Sequence, residues 1–211
     1  MVRKILPLLL ALLAGLMLAG CGDYGKVEQG TVVAVDKDKV SIIVDTNTDR
    51  KKPANYMTDV KPHDYILPPV GTERGAEPSA GLCVNMDIAK KTITMFNPKE
   101  KKFETFSFEL IEDKNRGIRL NRRNEVVEHV KVIRPAADFP VVDEAKKTIQ
   151  LFYRRLEGNQ SRLTTIKLAD ADFAKYKKAE WGAGDEVRIY FKQPGKSERF
   201  MNITKTDITR R

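Results

Sequence analysis

Sulfur and imidazole side chains are the groups in this sequence that could bind a metal or perform nucleophilic chemistry. Cys83 and Met86 lie three positions apart, and thiol and thioether sulfurs are ligands that Cu(I) prefers. His63 lies in a proline-rich segment with acidic neighbours, where a carboxylate beside an imidazole could form a metal or acid–base site. His63, Cys83 and Met86 are therefore the candidate ligand residues.

Each candidate also has a simpler structural interpretation. The stretch 81–84 is typical of the start of a strand, in which Cys83 would be a small buried apolar residue. Met95 alternates with the apolar face of the next strand, which favours core packing for the methionines of this region. His63 would then lie in a solvent-exposed loop. These alternatives remain open at the level of the sequence.

Motifs of known catalytic chemistry are missing from the sequence. The chain has no Gly-x-Ser-x-Gly elbow, no His-Glu-x-x-His pair, no Cys-x-x-Cys pair and no glycine-rich phosphate loop. Carboxylates are numerous, but no two of them are paired in a way that would make one a general acid and the other a general base. We therefore expect a protein that is not an enzyme, with no catalytic residue, no cofactor and no dedicated metal site.

The other cysteine, Cys21, ends an N-terminal leader pattern. Two basic residues precede an apolar run over residues 5–18, which is shorter than a membrane-spanning helix requires. Small Ala19 and Gly20 lead directly into Cys21. This arrangement resembles the signal of bacterial lipoproteins, whose cysteine sulfur carries diacylglycerol with acyl chains such as palmitate. The resemblance implies that residues 1–20 are a signal peptide and that Cys21 is lipidated.

Lipidation would place the protein in the cell envelope, anchored to a membrane and facing the periplasm. In enterobacterial lipoproteins, an aspartate directly after the lipidated cysteine retains the protein in the inner membrane. Glycine occupies this position here, as Gly22, and its presence favours the outer membrane. The leader carries two cations and no acid, so its removal lowers the formal charge from +9 to +7. A basic chain in this compartment could bind an envelope protein or an anionic glycan or lipid, and nucleic acid is not expected.

Arginine-rich clusters are the candidates for a patch that binds anions. They are Arg116, Arg119, Arg122 and Arg123, then Arg154 and Arg155, and finally Arg210 and Arg211. Positive charge on solvated strand edges, which discourages aggregation between edges, explains these clusters equally well.

A short motif occurs three times with constant spacing. Asp36, Asp87 and Asp143 each follow a strand-like run, and each is followed six residues later by an isoleucine in an alternating run. An aspartate side chain can accept hydrogen bonds from the amides of a turn. Each copy therefore predicts a β-hairpin whose turn begins at the aspartate.

The strand pattern predicts an all-β fold with minor α content, built from two small barrel-like modules. After a tether over 21–29, the N-terminal module covers 30–134 and contains a long loop over 46–81, which is rich in proline and glycine. The OB-like C-terminal module covers 139–205, and a tail over 206–211 follows it.

The C-terminal module has the element order of an OB-type barrel, with three strands, one short helix and two strands. The helix is expected to begin at Asp170 or Asp172 and to continue through Ala179. In this order the module resembles small periplasmic OB-type barrels, which include copper chaperones. Those chaperones bind copper with a histidine and two methionines, whereas this module has no histidine and a single methionine, Met201.

The whole chain is similar to a family of uncharacterised lipoproteins from sulfate-reducing bacteria. The matching stretches are 29–33, 65–69 and 199–208. This family is a domain of unknown function, so the resemblance implies no activity. We therefore expect a lipid-anchored envelope protein with a non-catalytic binding or assembly role. The alternative is a periplasmic carrier of a metal or a small ligand.

Overall fold

The computed structural model of the chain describes residues 24–47, 54–56, 61–121, 123–153 and 161–206. Strands predominate in these residues, which confirms the all-β class with minor α content. The strands are β1 (Lys26–Asp36), β2 (Lys39–Val44), β3 (His63–Ile66), β4 (Cys83–Asp87), β5 (Thr92–Asn97), β6 (Lys102–Ser107), β7 (Glu109–Lys114), β8 (Ile118–Leu120), β9 (Glu125–Glu128), β10 (Lys131–Pro135), β11 (Val141–Asp143), β12 (Thr148–Tyr153), β13 (Arg162–Lys167), β14 (Glu186–Gln193) and β15 (Lys196–Asn202). The helical segments are α1 (Asp170–Phe173) and two 3₁₀ turns, Ala136–Asp138 and Lys178–Trp181.

Five strands from the two ends of the described chain form a ring. Their order is β1-β14-β15-β3-β2, and β2 pairs again with β1. Apolar side chains alternate along β14, so that Val187, Ile189 and Phe191 point into the ring. They pack there against Val32 of β1 and Phe200 of β15. The ring therefore encloses a small core of its own.

Three further sheets are built from the middle of the chain. Their orders are β4-β5-β6, β11-β12-β13-β7 and β10-β9-β8. A second and larger core contains Met95 of β5, Ile149 of β12 and the fully buried Trp181. Val33 and Ile43 join this core from the outer faces of β1 and β2. The ring and the central sheets are thus packed together through β1 and β2.

All three predicted hairpins are present, as the pairs β1–β2, β4–β5 and β11–β12. Asp87 and Asp143 each accept a hydrogen bond from the amide three residues further on, at 2.9 and 3.1 Å. The first copy differs, because Asp36 pairs directly with Lys39 across a shorter turn. The repeated motif therefore marks hairpins, with one turn length for two copies and another for the first.

The strand pairing differs from the predicted division into two modules. The sequence groups β14 and β15 with β11–β13, whereas in the structure they pair with β1 and β3. β13 pairs instead with β7, which the sequence assigns to the N-terminal module. The order of three strands, a helix and two strands is present, but element order does not determine which edges form hydrogen bonds.

The structure also differs from two local predictions. The long loop over 46–81 contains the strand β3, whose Tyr65 is 3% exposed and packs inside the ring. The α-helix ends at Phe173 and does not continue through Ala179. One helical turn is sufficient to place the Phe173 ring 6.2 Å from that of Trp181, in a stacked arrangement.

Backbone segments around Gly81, Val32 and Gly184 cross at very short range. The Gly81 amide donates to the Val32 carbonyl at 3.1 Å, and the Val32 amide donates to the Asp185 carbonyl at 3.0 Å. A Cβ on Gly184 would overlap the Val32 carbonyl oxygen, and a Cβ on Gly81 would overlap that of Gly182. Only glycine therefore allows these segments to meet.

We predict that Gly184→Ala destabilises the protein by about 3 kcal/mol or more, because the added methyl group must displace the backbone of β1. Urea unfolding followed by circular dichroism measures the change. Gly71→Ala is the matched control, since Gly71 has no heavy atom within 4 Å of an added Cβ but has a φ of 86°. Its expected cost is about 1 kcal/mol from the backbone conformation alone. Equal costs for the two variants would contradict the importance of the crossing.

Candidate functional site

A cavity of about 350 Å³ lies beside the glycine crossing, between the ring and the central sheets. Its wall is formed by residues of β1, β4 and β12, by the 3₁₀ turn Ala136–Asp138 and by the segment that leads into β14. Small-molecule sites in proteins occupy roughly 300–1,000 Å³ and combine apolar walls with a few fixed polar groups. The size of the cavity falls within this range.

One side of the cavity is apolar and contains sulfur. Cys83 and Met86 of β4 contact Tyr153 of β12, and Phe139 and Phe152 also line the cavity. The Cys83 Sγ atom lies 3.1 Å from the Tyr153 hydroxyl oxygen, which in turn lies 3.8 Å from the Met86 sulfur. A thiol that donates to the tyrosine and a hydroxyl that donates to the methionine satisfy both contacts. The three side chains are therefore linked by consecutive hydrogen bonds.

The ionisable groups of this wall are held in their neutral forms. Burial raises the pKa of the Cys83 thiol to about 12, and the hydrogen bond with Tyr153 opposes this shift only in part. Burial, together with the neighbouring Cys83, raises the pKa of Tyr153 as well. Because the thiolate is the nucleophilic form of cysteine, Cys83 is held in its unreactive state at neutral pH.

Another part of the cavity lining is polar and fixed by hydrogen bonds. Asp185 Oδ2 accepts from the Ser79 amide at 2.7 Å and from Asn202 Nδ2 at 2.8 Å, and it lies 3.0 Å from Lys205 Nζ. Lys205 also donates to the Ser79 hydroxyl at 2.9 Å. Asn202 is fully buried and supports the carboxylate from behind. This wall thus presents polar atoms whose positions are set before any ligand binds.

Arg162 adds a cation to the cavity wall. Its Nε atom lies 3.1 Å from Asp113 Oδ1, and both side chains are about one-fifth exposed. The Nε–H does not point along this contact, so the atom is buried without an aligned acceptor among the described residues. Asp113 also accepts from the Thr164 hydroxyl at 3.0 Å. The guanidinium is therefore held by an ion pair in which one N–H has no aligned acceptor.

The structure brings together two of the three candidate ligand residues. Cys83 and Met86 share the cavity, whereas His63 lies in β3 at the ring. His63 Nδ1 is 2.7 Å from Glu28 Oε2, which also accepts from the Tyr65 hydroxyl at 2.7 Å. His63 thus lies in a strand and not in the predicted loop, and its side chain is bonded to a carboxylate while remaining 41% exposed.

Within the ranges given above, no group of three or more His, Cys, Asp and Glu side chains is arranged to hold a metal ion. Cys21 lies outside the described residues.

Sequence reasoning missed three residues of the cavity, namely Tyr153, Arg162 and Asp185. Tyr153 contacts Cys83 and Met86 across separations of 70 and 67 residues, which no local pattern reveals. Asp185 was visible only as part of a Gly-Asp pair before a strand. Its neighbour in space, Gly81, was one of several glycines in a loop-like segment.

The chain belongs to the family described as "Domain of unknown function (DUF4881)", which matches residues 23–211. The match includes every described strand and the entire cavity wall. No curated protein matches the chain, and no solved structure does. Among the described residues, no helix has the length and apolar character needed to cross a bilayer.

We predict that Cys83 of the folded protein reacts slowly with iodoacetamide. A pKa raised from 9.0 to about 12 lowers the thiolate fraction at mildly alkaline pH about 1,000-fold, and burial restricts access further. Alkylation of a chain of residues 22–211, which lacks Cys21, is followed by mass spectrometry. The same chain in concentrated urea is the reference. A native rate within tenfold of the unfolded rate would contradict the burial of this thiol.

Proposed function

We propose that this protein is a lipid-anchored protein of the cell envelope that binds a small molecule without transforming it. The cavity is the proposed binding site. The observation that supports this proposal is its volume of about 350 Å³ together with a lining that combines apolar side chains with fixed polar groups. This combination suits a molecule that has an apolar body and at least one polar group.

The walls also suggest the class of ligand. Met86 can adapt its shape to an apolar ring or chain, and Phe139 and Phe152 offer flat surfaces for packing. Arg162 lines the cavity, and guanidinium groups bind carboxylates and other planar anions well. The preferred ligand is therefore a small organic acid with an aromatic or aliphatic body.

The chemistry of the cavity supports binding rather than catalysis. Cys83 and Tyr153 are neutral and bonded to each other, and among the described residues neither is hydrogen-bonded to a base that would remove its proton. The Asp185 carboxylate already accepts two hydrogen bonds and pairs with Lys205. A carboxylate held in this way serves as a fixed polar contact for a ligand.

The proposed membrane anchor rests on Cys21. The leader pattern ends at this residue, and the family match begins two residues later, at residue 23. In this proposal the folded domain follows the lipidated cysteine almost at once and faces the periplasm. Gly22 favours the outer membrane as the location.

Methyl NMR of methionine tests the cavity directly. We predict that benzoate, an aromatic carboxylate, shifts the Met86 methyl signal of residues 22–211. It should leave the Met95 signal unchanged, because Met95 is fully buried in the core outside the cavity wall. Ala137 is an exposed residue of the cavity lining, so Ala137→Trp adds a large ring at the rim, which should obstruct the cavity and abolish the shift. Ala174→Trp, at an exposed position outside the cavity wall, should preserve it.

Three results of this experiment would count against the proposed site. They are an unmoved Met86 signal, equal shifts at Met86 and Met95, or a shift that survives Ala137→Trp. Stoichiometric Cu(I) binding that Cys83→Ala abolishes would favour the metal carrier instead.

The anchor is tested by cell fractionation. We predict that Cys21→Ala moves the protein from the membrane fraction to the soluble fraction, because acyl chains on the sulfur would supply most of the membrane affinity. Cys83→Ala is the matched control and should leave the protein in the membrane fraction. An unmodified Cys21 in the mass spectrum of the native protein would contradict lipidation.

A further inference from the structure

One end of the ring carries apolar and basic side chains close to the first described residue. We call it the tether-side surface, and it consists of Tyr24, Val27, Ile66, Lys26, Lys192 and Lys196. The three apolar side chains are 91%, 58% and 58% exposed, in that order. Exposed apolar groups mixed with lysines are typical of surfaces that contact membranes.

The strand register brings these residues to the same end of the ring. Lys26 pairs with Phe191, the residue before Lys192 in β14. Lys196 follows the turn between β14 and β15 and pairs with Ile66, whose amide donates to the Gly195 carbonyl at 2.8 Å. The surface is therefore set by the backbone pairing of four neighbouring strands, β1, β14, β15 and β3.

Val27 and Tyr24 complete the apolar part of the surface. Val27 pairs with Tyr190, two residues before Lys192. Gly25, the residue after Tyr24, lies against the ring of the same Tyr190. The start of the described chain is thus held beside the end of β14.

The lysines of this surface supply uncompensated positive charge. No ion pair joins Lys26, Lys192 or Lys196 to another residue of the described chain, whereas the nearby Lys39 pairs with Asp64 at 2.8 Å. Two acids lie close to these lysines in sequence: Glu198 is two positions after Lys196, and Glu28 is two positions after Lys26. Glu28 is bonded to His63 and Tyr65. The three lysines, each attracted to an anionic bilayer, exceed these two acids in number.

We propose that the tether-side surface lies on the head groups of anionic phospholipids. This inference builds on the proposed lipidation of Cys21. Three residues lead from Cys21 to Tyr24, and an extended chain spans at most about 3.6 Å per residue, so the anchor would hold this end within about 11 Å of the bilayer. Electrostatic attraction acts over a screening length of about 8–10 Å at moderate ionic strength. The anchor therefore brings the lysines into range of the lipid charge.

A competing surface is the arginine cluster on and around β8. Arg116, Arg119 and Arg123 are exposed and could also attract anionic lipid. No short tether connects this cluster to the anchor. The three arginines of this cluster therefore serve as a control that matches the three lysines of the tether-side surface in charge.

Vesicle sedimentation of residues 22–211 tests the surface separately from the anchor, because this chain cannot be lipidated at Cys21. It contains the whole family-matched region and every described strand. We expect binding to vesicles of equimolar phosphatidylglycerol and phosphatidylethanolamine, and little binding to phosphatidylcholine. Lys26→Glu combined with Lys192→Glu and Lys196→Glu should weaken binding at least about tenfold, since three attractions become repulsions.

The matched control changes the arginine cluster by the same charge. Arg116→Glu combined with Arg119→Glu and Arg123→Glu should bind within about twofold of the unsubstituted chain. Equal losses in the two triple variants would overturn the proposal, because they would indicate a general effect of charge. So would the absence of binding to anionic vesicles, or binding to an anionic glycan in place of vesicles. None of these results depends on whether Cys21 is lipidated or whether the cavity binds benzoate.

A site-specific label provides a second measurement that does not reverse any charge. Ile66→Cys is labelled with a polarity-sensitive dye, and Val130→Cys, an 88% exposed position between β9 and β10, is the control. Cys83 is 2% exposed and should not be labelled. Anionic vesicles should shift the emission of the dye to shorter wavelength at position 66 and not at position 130. Equal shifts, or a shift at position 130 alone, would overturn the proposal.

Discussion

At Val32, β1 meets two other backbone segments so closely that only glycine fits, and the packing of the structure depends on this crossing. Val32 points into the core of the ring, while the adjacent Val33 points into the larger core. Gly81 and Gly184 let the segments before β4 and before β14 approach the Val32 carbonyl from the same side. Because one strand serves both cores, this crossing fixes how the ring and the central sheets are packed.

The cavity follows from the same crossing. The segment that contains Gly81 continues into β4 and places Cys83 and Met86 on the apolar wall. The segment that contains Gly184 continues into Asp185, whose carbonyl accepts the Val32 amide while its carboxylate forms the polar wall. The fold thus explains why apolar side chains and fixed polar groups line the same small cavity.

Local features of this protein could be predicted from its sequence, and long-range pairing could not. The hairpins were predictable because an aspartate bonds to amides a few residues away in its own turn. Cys83 and Met86 were recognised as neighbours because they share a strand, but Tyr153, some 70 residues further on, gave no local signal. The pairing of β1 with β14 joins opposite ends of the chain, and hydrophobic alternation is the same whichever strand lies beside another. A strand inside a proline-rich segment, such as β3, is likewise recognised only through the partner that its edge meets.

A native mass spectrum of the protein shows whether the cavity holds a small molecule in the cell. The protein should be purified gently from the membranes of its own cell, as wild type and as the Ala137→Trp variant. We expect the wild-type protein to carry an additional mass of small-molecule size, and the variant, whose cavity is obstructed at its rim, to lack it. A bare protein mass in both samples, or the same additional mass in both, would contradict this expectation.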